Sequence, residues 1–147
     1  MNLVQTSPPP IASLLAMPRF PALGITVLRL ALATMWLTHS IVLKLMTFGM
    51  TGLAAWMGTQ GFAPALAYPL VIAEIVGGLA ILVGFHGRWA SLLLQPVLLG
   101  AIVIHAGNGW VFTAPNGGWE YPVFLVAMSI AHFFLGDGPF AVRRERI

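Results

Sequence analysis

Apolar residues in this chain occur in four long runs, at about 21–45, 66–85, 89–106 and 121–135, separated by stretches rich in glycine, proline and polar residues. An α-helix needs about 20 apolar residues to cross a hydrocarbon core of about 30 Å. The fourth run covers only about 22 Å as a helix. We expect it to continue through the sequence GDGPF into the headgroups, with a buried core helix as the alternative. The pattern predicts an all-α fold, a transmembrane four-helix bundle.

Composition supports a membrane environment. Of the 147 residues, 59% are hydrophobic and only 7% are charged, whereas about a quarter are charged in ordinary soluble domains. A soluble fold of this size could not hide so much apolar surface, so we expect the lipid bilayer to be the main partner. The high pI rests on seven basic and four acidic side chains, and we expect no nucleic acid partner.

The absence of cysteine removes several kinds of chemistry. With none in the sequence, disulfides, thiol relays, CxxC redox motifs and covalent haem attachment are excluded. The remaining candidates are histidines, carboxylates and one lysine.

Three regions are expected along the chain. Residues 1–20 form a proline-rich, flexible tail without the charged start and continuous apolar centre of a signal peptide. Residues 21–140 form the transmembrane domain, and residues 141–147 form a basic tail. In the first long loop, Leu53, Trp56 and Met57 have helical spacing. They predict either a short helix in the membrane interface or a plain connector with an aromatic anchor.

The basic residues predict the orientation. Five arginines flank span ends on one side, and only Lys44 lies near an end on the other. The five are Arg19, Arg88, Arg143, Arg144 and Arg146. Because basic residues favour the cytoplasmic side, both termini and the turn FHGRW are expected there, with the two longer loops outside. We expect a multi-pass protein of a bacterial-type cytoplasmic (inner) membrane.

Polar residues within the spans are the candidates for function, because charge in hydrocarbon is costly and needs partners. From the rise per residue, Arg29 and Glu74 differ in height by roughly 6 Å near the midplane, which predicts a structural ion pair. His132 and His86 lie toward the cytoplasmic side and receive no role.

A polar pocket is expected in the outer half of the bundle. Four side chains reach that depth from different segments, namely His39, Lys44, His105 and Glu120. On a helical wheel, Arg29, His39 and Lys44 share an arc of about 140° and can face one bundle. Gly77 and Gly78 lie on the face of Glu74 and should let a neighbouring helix approach. Pro96 should bend the third span and free a carbonyl near Gln95.

Each of these residues also has a purely structural interpretation. A lysine in this position is more often a snorkelling anchor than a reactive amine, and single histidines such as His39 and His105 are usually hydrogen-bonded packing residues. Glu120, between Trp119 and Tyr121, is equally part of an interfacial aromatic belt.

Several motifs together resemble the DoxX family of small four-helix membrane proteins. They include LRLALATMWLTHSIVLKL, with Arg29, His39 and Lys44, the turn from Glu74 to Gly78, Gly84 with Arg88, and NGGWEYP, residues 116–122. The resemblance covers roughly residues 28–138. It implies a compact bundle of four transmembrane helices. It also implies an association with quinone-linked redox systems, although many members have no assigned activity.

On this basis the first hypothesis is a membrane subunit of a quinone-linked oxidoreductase, which leaves open whether this chain is itself catalytic. His39, Lys44 and His105 would bind the quinone head group, Glu74 or Glu120 would carry protons, and Trp119 would wall the site. Other membrane or redox subunits would supply the electron carrier. A quinone is the one cofactor expected. His39 and His105 lie at similar depth on different helices, but similar depth alone does not identify them as haem ligands. Neither haem nor metal is therefore expected.

The alternative is a non-catalytic accessory subunit that packs against a larger membrane complex. Its polar residues would then serve only its own fold. A small-solute carrier is a third possibility, but the sequence has no inverted repeat to support it.

Overall fold

The computed structural model describes residues 19–143, and within that range the secondary structure is helical, with no strand. Residues 1–18 of the expected amino tail and residues 144–147 of the expected basic tail lie outside the described residues, as do Arg144 and Arg146.

The described residues form six α-helices and one long π-helical segment. The α-helices are α1 (Arg19–Leu37), α2 (Gly49–Thr59), α3 (Ala67–Val83), α4 (Gly87–Leu93), α5 (Gln95–His105) and α6 (Glu120–Leu135), and the π-helical segment is Thr38–Phe48. Two short 3-10 turns, Pro64–Leu66 and Ala106–Asn108, precede α3 and follow α5. Four long helical stretches result, as the sequence predicts.

Three of these stretches are long and apolar enough to cross a membrane. They are Phe20–Thr59, Pro64–Val83 and Gly87–Asn108, whereas the fourth, Glu120–Leu135, is shorter. The outward faces carry large apolar side chains, for example Val27 and Leu93. Such an exterior is stable in hydrocarbon and not in water.

The helices pack around a shared core. Helix α1 contacts α3 and α6, α4 contacts α3 and α6, and α5 packs on α6. The buried residues of α1 follow a spacing of three and four, because one helical stripe faces the neighbouring helices. They are Arg29, Leu32, Ala33 and Trp36.

Two glycines of α3 permit the closest helix contacts. A Cβ on Gly77 would lie 2.6 Å from Leu94, and one on Gly78 would lie 3.0 Å from Leu37. The expectation that these glycines admit neighbouring helices is therefore confirmed.

Helix α2 buries two of the three residues that predicted it. Leu53 and Met57 pack with Ala67 and Val71, while Trp56 is exposed. Gly49, the first residue of α2, has φ of 69° and ψ of 157°, which is not helical, so the backbone direction changes there between the π-helical segment and α2. A short helix in this loop is confirmed.

The third stretch breaks where proline predicts it. Helix α4 ends at Leu93 and α5 begins at Gln95, next to Pro96. The side-chain amide of Gln95 donates to the Ser91 carbonyl, at 3.0 Å, within the turn that Pro96 disturbs.

The start of α1, the turn after α3 and the segment after α6 meet at one end. The backbone N–H of Val142 donates to Val83, at 2.9 Å, and that of Arg143 donates to Gly84, at 3.2 Å. A Cβ on Gly138 would lie 2.9 Å from Ile25 of α1. We call this the basic end, after Arg88 and Arg143, and the opposite end, with residues 49–66 and 106–119, the loop end.

We predict that Gly84→Ala destabilises the fold strongly. Gly84 has φ of 67°, and an added Cβ would lie 1.9 Å from Arg29 Nη1 and 2.5 Å from the Ala141 Cβ. The left-handed backbone costs an alanine about 1–2 kcal/mol, and overpacking adds about 1–3 kcal/mol. The free energy of unfolding in detergent measures the loss.

Gly61→Ala is the matched control. Gly61 also has positive φ, 81°, but its Cβ would meet nothing within 4 Å, so this variant carries only the backbone cost. Equal losses for the two variants would show that the crowding around Gly84 does not matter.

Candidate functional site

The centre of the candidate site is an ion pair between Lys44 and Glu74. The ammonium of Lys44, in the π-helical segment, donates to Oε1 of Glu74 on α3. The Glu74 side chain is only 1% exposed and that of Lys44 18%. A ligand would therefore reach the buried carboxylate of Glu74 from the side on which Lys44 lies.

This pair replaces the one expected between Arg29 and Glu74. Arg29 Nη2 instead donates to the Phe140 carbonyl at the basic end, at 3.1 Å. Side chains on a helix lean toward its N-terminus. Arg29 and Lys44 both lean toward the basic end, where α1 starts, so Arg29 leans away from Glu74 and Lys44 leans toward it.

One oxygen of Glu74 remains without a partner. Its Oε2 is buried and accepts no hydrogen bond from the described residues, and the indole Nε1 of Trp36 is likewise buried and unbonded. Buried polar atoms normally have partners. An acceptor and a donor thus remain available in the interior, Glu74 Oε2 beside the ammonium and Trp36 Nε1 on the same helical stretch as Lys44.

The π-helical segment sets the position of Lys44. Three side chains bond backbone carbonyls around it: Ser40 Oγ donates to Trp36 at 2.7 Å, Thr47 Oγ1 donates to Val42 at 2.9 Å, and His39 Nδ1 lies 3.1 Å from the Met35 oxygen. Wide π turns occur often at functional sites. Ser40 is fully buried here, so the widened turn packs against the interior.

His39 reaches α6. Its ring stacks on Tyr121, with ring centroids 6.0 Å apart and planes 24° apart. From this pair toward the basic end, α1 and α6 form a groove of about 440 Å³, lined by apolar residues that include Met35, Tyr121 and Met128. The polar pocket expected from the sequence is not confirmed by this apolar groove.

Glu120, Trp119 and His105 shape the loop of residues 106–119. Glu120 Oε1 accepts the Phe112 N–H at 2.9 Å, and Trp119 meets Trp110 edge to face at 4.5 Å. His105 Nδ1 lies 3.2 Å from the Gly117 carbonyl. Their described contacts run within the loop, whereas Lys44 and Glu74 bond each other.

A second buried polar cluster was not assigned from the sequence. Ser91 Oγ and His132 Nδ1 are 2.8 Å apart, and His132 Nε2 lies 3.2 Å from Asp137 Oδ1. All three residues are buried. Asp137 Oδ2 also accepts the Gly87 N–H, at 2.8 Å. The cluster ties α4, α6 and the segment after α6 together at the basic end.

Asp137 lies beyond the end of α6, outside the spans. Burial alone would raise the pKa of its carboxyl, but the hydrogen bond and charge of His132 and the N–H groups of Gly87 and Arg88 hold that pKa below its ordinary value. The ionised carboxylate is thus the form that the fold stabilises. The sequence offered one signal for this role, because Asp137 stands between two glycines just past a helix end.

The comparison with known families decides the family of the chain. A family model described as DoxX matches residues 24–107, more than half of the 147 residues. The chain belongs to the DoxX family. The match spans α1 to α5 and includes Lys44 and Glu74. It ends before the NGGWEYP sequence, so that part of the resemblance stands on the sequence alone.

No curated protein and no solved structure matches this DoxX chain significantly. Family membership and the apolar helices together identify it as a membrane protein in contact with lipid.

We predict that Asp137→Asn destabilises the protein and flattens its acid response. Since the pKa of Asp137 is lowered in the folded state, its contribution is present above the unfolded pKa, about 3.9, and is lost as the pH falls through the lower folded value. Thermal unfolding of wild type and variant from pH 6 to pH 3 measures this.

The control is Glu120→Gln, which keeps an oxygen acceptor for the Phe112 N–H. It keeps Asp137 and its partners, so the acid response that Asp137 causes should remain. A wild-type and an Asp137→Asn protein that lose stability in parallel through this pH range would contradict the assignment.

Proposed function

We propose that this DoxX protein is an integral membrane subunit of a quinone-linked oxidoreductase system, with Glu74 as its proton carrier. The observation that carries the proposal is the buried Lys44–Glu74 pair, in which Glu74 Oε2 has no partner among the described residues. The family resemblance, with its association with quinone-linked systems, supports the same reading.

We further propose that all four long helical stretches cross the membrane as one bundle, with the basic end in the cytoplasm. The described chain ends meet at that end, and basic residues favour the cytoplasmic side. The membrane would be a bacterial-type cytoplasmic membrane. Lys44 and the loop end then lie toward the outside.

In this proposal Lys44 supplies positive charge and Glu74 supplies protons for the reduction of a quinone. Reduction of a quinone to a quinol takes up two electrons and two protons. Lys44 would donate a hydrogen bond to a quinone carbonyl, and the charge of its ammonium would stabilise the developing oxyanion. Glu74 would deliver the two protons one after the other, because its second oxygen is free to carry a proton, and it would be reprotonated from the loop end between the two transfers. The electrons would come from a partner redox subunit.

The other predicted residues take supporting roles in this proposal. His39, stacked on Tyr121, would contact the head group from the α6 side. His105, Trp119 and Glu120 hold the loop at the loop end and would close the site from outside. We therefore place the proton transfer at Glu74 and give Glu120 a structural role at the rim.

The second candidate is an accessory subunit of a larger membrane complex. The apolar groove between α1 and α6 favours it, since Gly24 and Ala31 on its α1 wall are small. Small residues let another transmembrane helix approach closely. Purification in mild detergent separates the two candidates, because a bound quinone supports the first and a stoichiometric helical partner without quinone supports the second.

We predict that Glu74→Gln lowers quinone-dependent activity of the assembled system by about a hundredfold, a typical contribution of general acid–base catalysis. The amide can still accept the Lys44 hydrogen bond but cannot carry a proton. Quinol formation in membranes from cells that express the variant is the measurement, with the protein level quantified in parallel.

Two further variants make the result interpretable. Glu120→Gln should retain activity, because its amide oxygen can still accept the Phe112 N–H. The double variant Lys44→Gln, Glu74→Gln removes both charges, so no lone charge is left buried, and it should accumulate without activity. Full activity in Glu74→Gln would refute the assignment of the proton carrier.

A further inference from the structure

Arg29 is a buried cation that lies apart from the Lys44–Glu74 site. It is only 3% exposed. Nη2 donates to the Phe140 carbonyl, and Nε and Nη1 have no hydrogen-bond partner among the described residues. A buried guanidinium bonded only to a neutral oxygen is unusual, because buried charges are normally paired.

A cradle encloses this guanidinium. The missing side chain of Gly84 provides the room, since a Cβ there would lie 1.9 Å from Nη1. Residues 136–143, which we call the C-terminal strap, cover the other side. The strap is attached by the bonds of Val142 and Arg143 to the end of α3 and by Asp137 to Gly87.

The surroundings of the cradle are basic and interfacial. Arg88, between Trp89 and Phe133, and the exposed Arg143 lie at the same end. The side chains of Phe140 and Val142 are exposed while Ala141 between them is buried. The strap therefore presents apolar side chains outward and its Phe140 carbonyl inward, as expected of a segment at the boundary of lipid and water.

We infer that Arg29 is a binding site for a phosphate group, closed in this structure by the C-terminal strap. Arginine binds phosphate through several charge-assisted N–H bonds, which are stronger than a bond to a neutral carbonyl. A phosphate at Arg29 would replace the Phe140 oxygen and reach the two unbonded nitrogens. The strap would then lift at Phe140 and loosen at Val142 and Arg143.

The phosphate has two possible sources, the headgroup of an anionic phospholipid and free inorganic phosphate. The guanidinium lies beside Gly84, after the end of α3, and Phe140 of the strap, and an arginine that leans toward the membrane surface reaches headgroups. This inference is independent of the quinone proposal, because it uses neither Lys44 nor Glu74.

The test is binding to the purified full-length protein in detergent, measured by native mass spectrometry. The probes are phosphatidylglycerol, diacylglycerol, which has no phosphate group, and inorganic phosphate. We expect phosphatidylglycerol to bind at least tenfold more tightly than diacylglycerol, and Arg29→Gln to abolish that preference. Arg143→Gln, which removes an exposed arginine at the same end, should change it less than threefold.

Hydrogen exchange of the unmodified protein gives a second readout that does not require a variant to fold. Phosphatidylglycerol should speed exchange of the Val142 and Arg143 N–H groups several-fold, while the loop N–H groups of Ala114 and Gly117 stay unchanged. An effect of inorganic phosphate alone would support the site and identify free phosphate as its ligand.

Three outcomes overturn the inference. The first is equal binding of the two lipids with no effect of inorganic phosphate. The second is an equal loss in Arg29→Gln and Arg143→Gln, which would indicate general surface charge. The third is an unchanged exchange rate in the strap when phosphatidylglycerol is bound.

Discussion

Lipid outside the helices forces every strongly polar group to find its partner inside, and this constraint organises the protein. Lys44 meets Glu74 within the helices, and His132 meets Ser91 and Asp137 at the basic end. Arg29 turns to the backbone of the strap. Each of these contacts joins segments that are distant in sequence, so the few polar residues fix how the apolar helices fit together.

The three clusters differ in how completely they are satisfied. In the cluster around His132, the Asp137 carboxylate accepts hydrogen bonds from backbone N–H groups and lies next to the imidazole. Such contacts are typical of a residue that holds segments of the fold together. The other two contain buried atoms without partners, at Glu74 and Arg29, whereas the two atoms of the His132 cluster that lack a hydrogen bond, His132 Nε2 and Asp137 Oδ1, lie 3.2 Å from each other as an ion pair. Unsatisfied buried polar atoms carry a free-energy cost that folding alone does not explain. For that reason we place ligands at these two positions and none at His132.

Much of the architecture could be predicted from the sequence because hydropathy reports directly on solvent. The four apolar stretches, the short helix at Leu53 and Met57, the break at Pro96 and the close approach at Gly77 and Gly78 all follow from local rules. The pairing of the charged side chains could not be predicted in this way, because the height of a residue along its span does not say in which direction its side chain leans. By height Arg29 lies within reach of Glu74, and only the lean of each side chain toward the helix N-terminus favours Lys44 instead.

The buried cluster of Ser91, His132 and Asp137 was missed for a related reason. Its members come from α4, α6 and the strap, and no short motif joins them. His132 looked like an isolated histidine, because sequence spacing cannot show that the strap folds back beneath α4.

The π-helical segment places a constraint on how this chain can vary. Each residue between Trp36 and Lys44 rotates the ammonium around the helix axis, so the number of residues matters as much as their identity. Loss or gain of a single residue there would turn Lys44 toward lipid and leave the Glu74 carboxylate alone in the interior. Length variation should therefore be tolerated in the loops but not within this stretch of the first span.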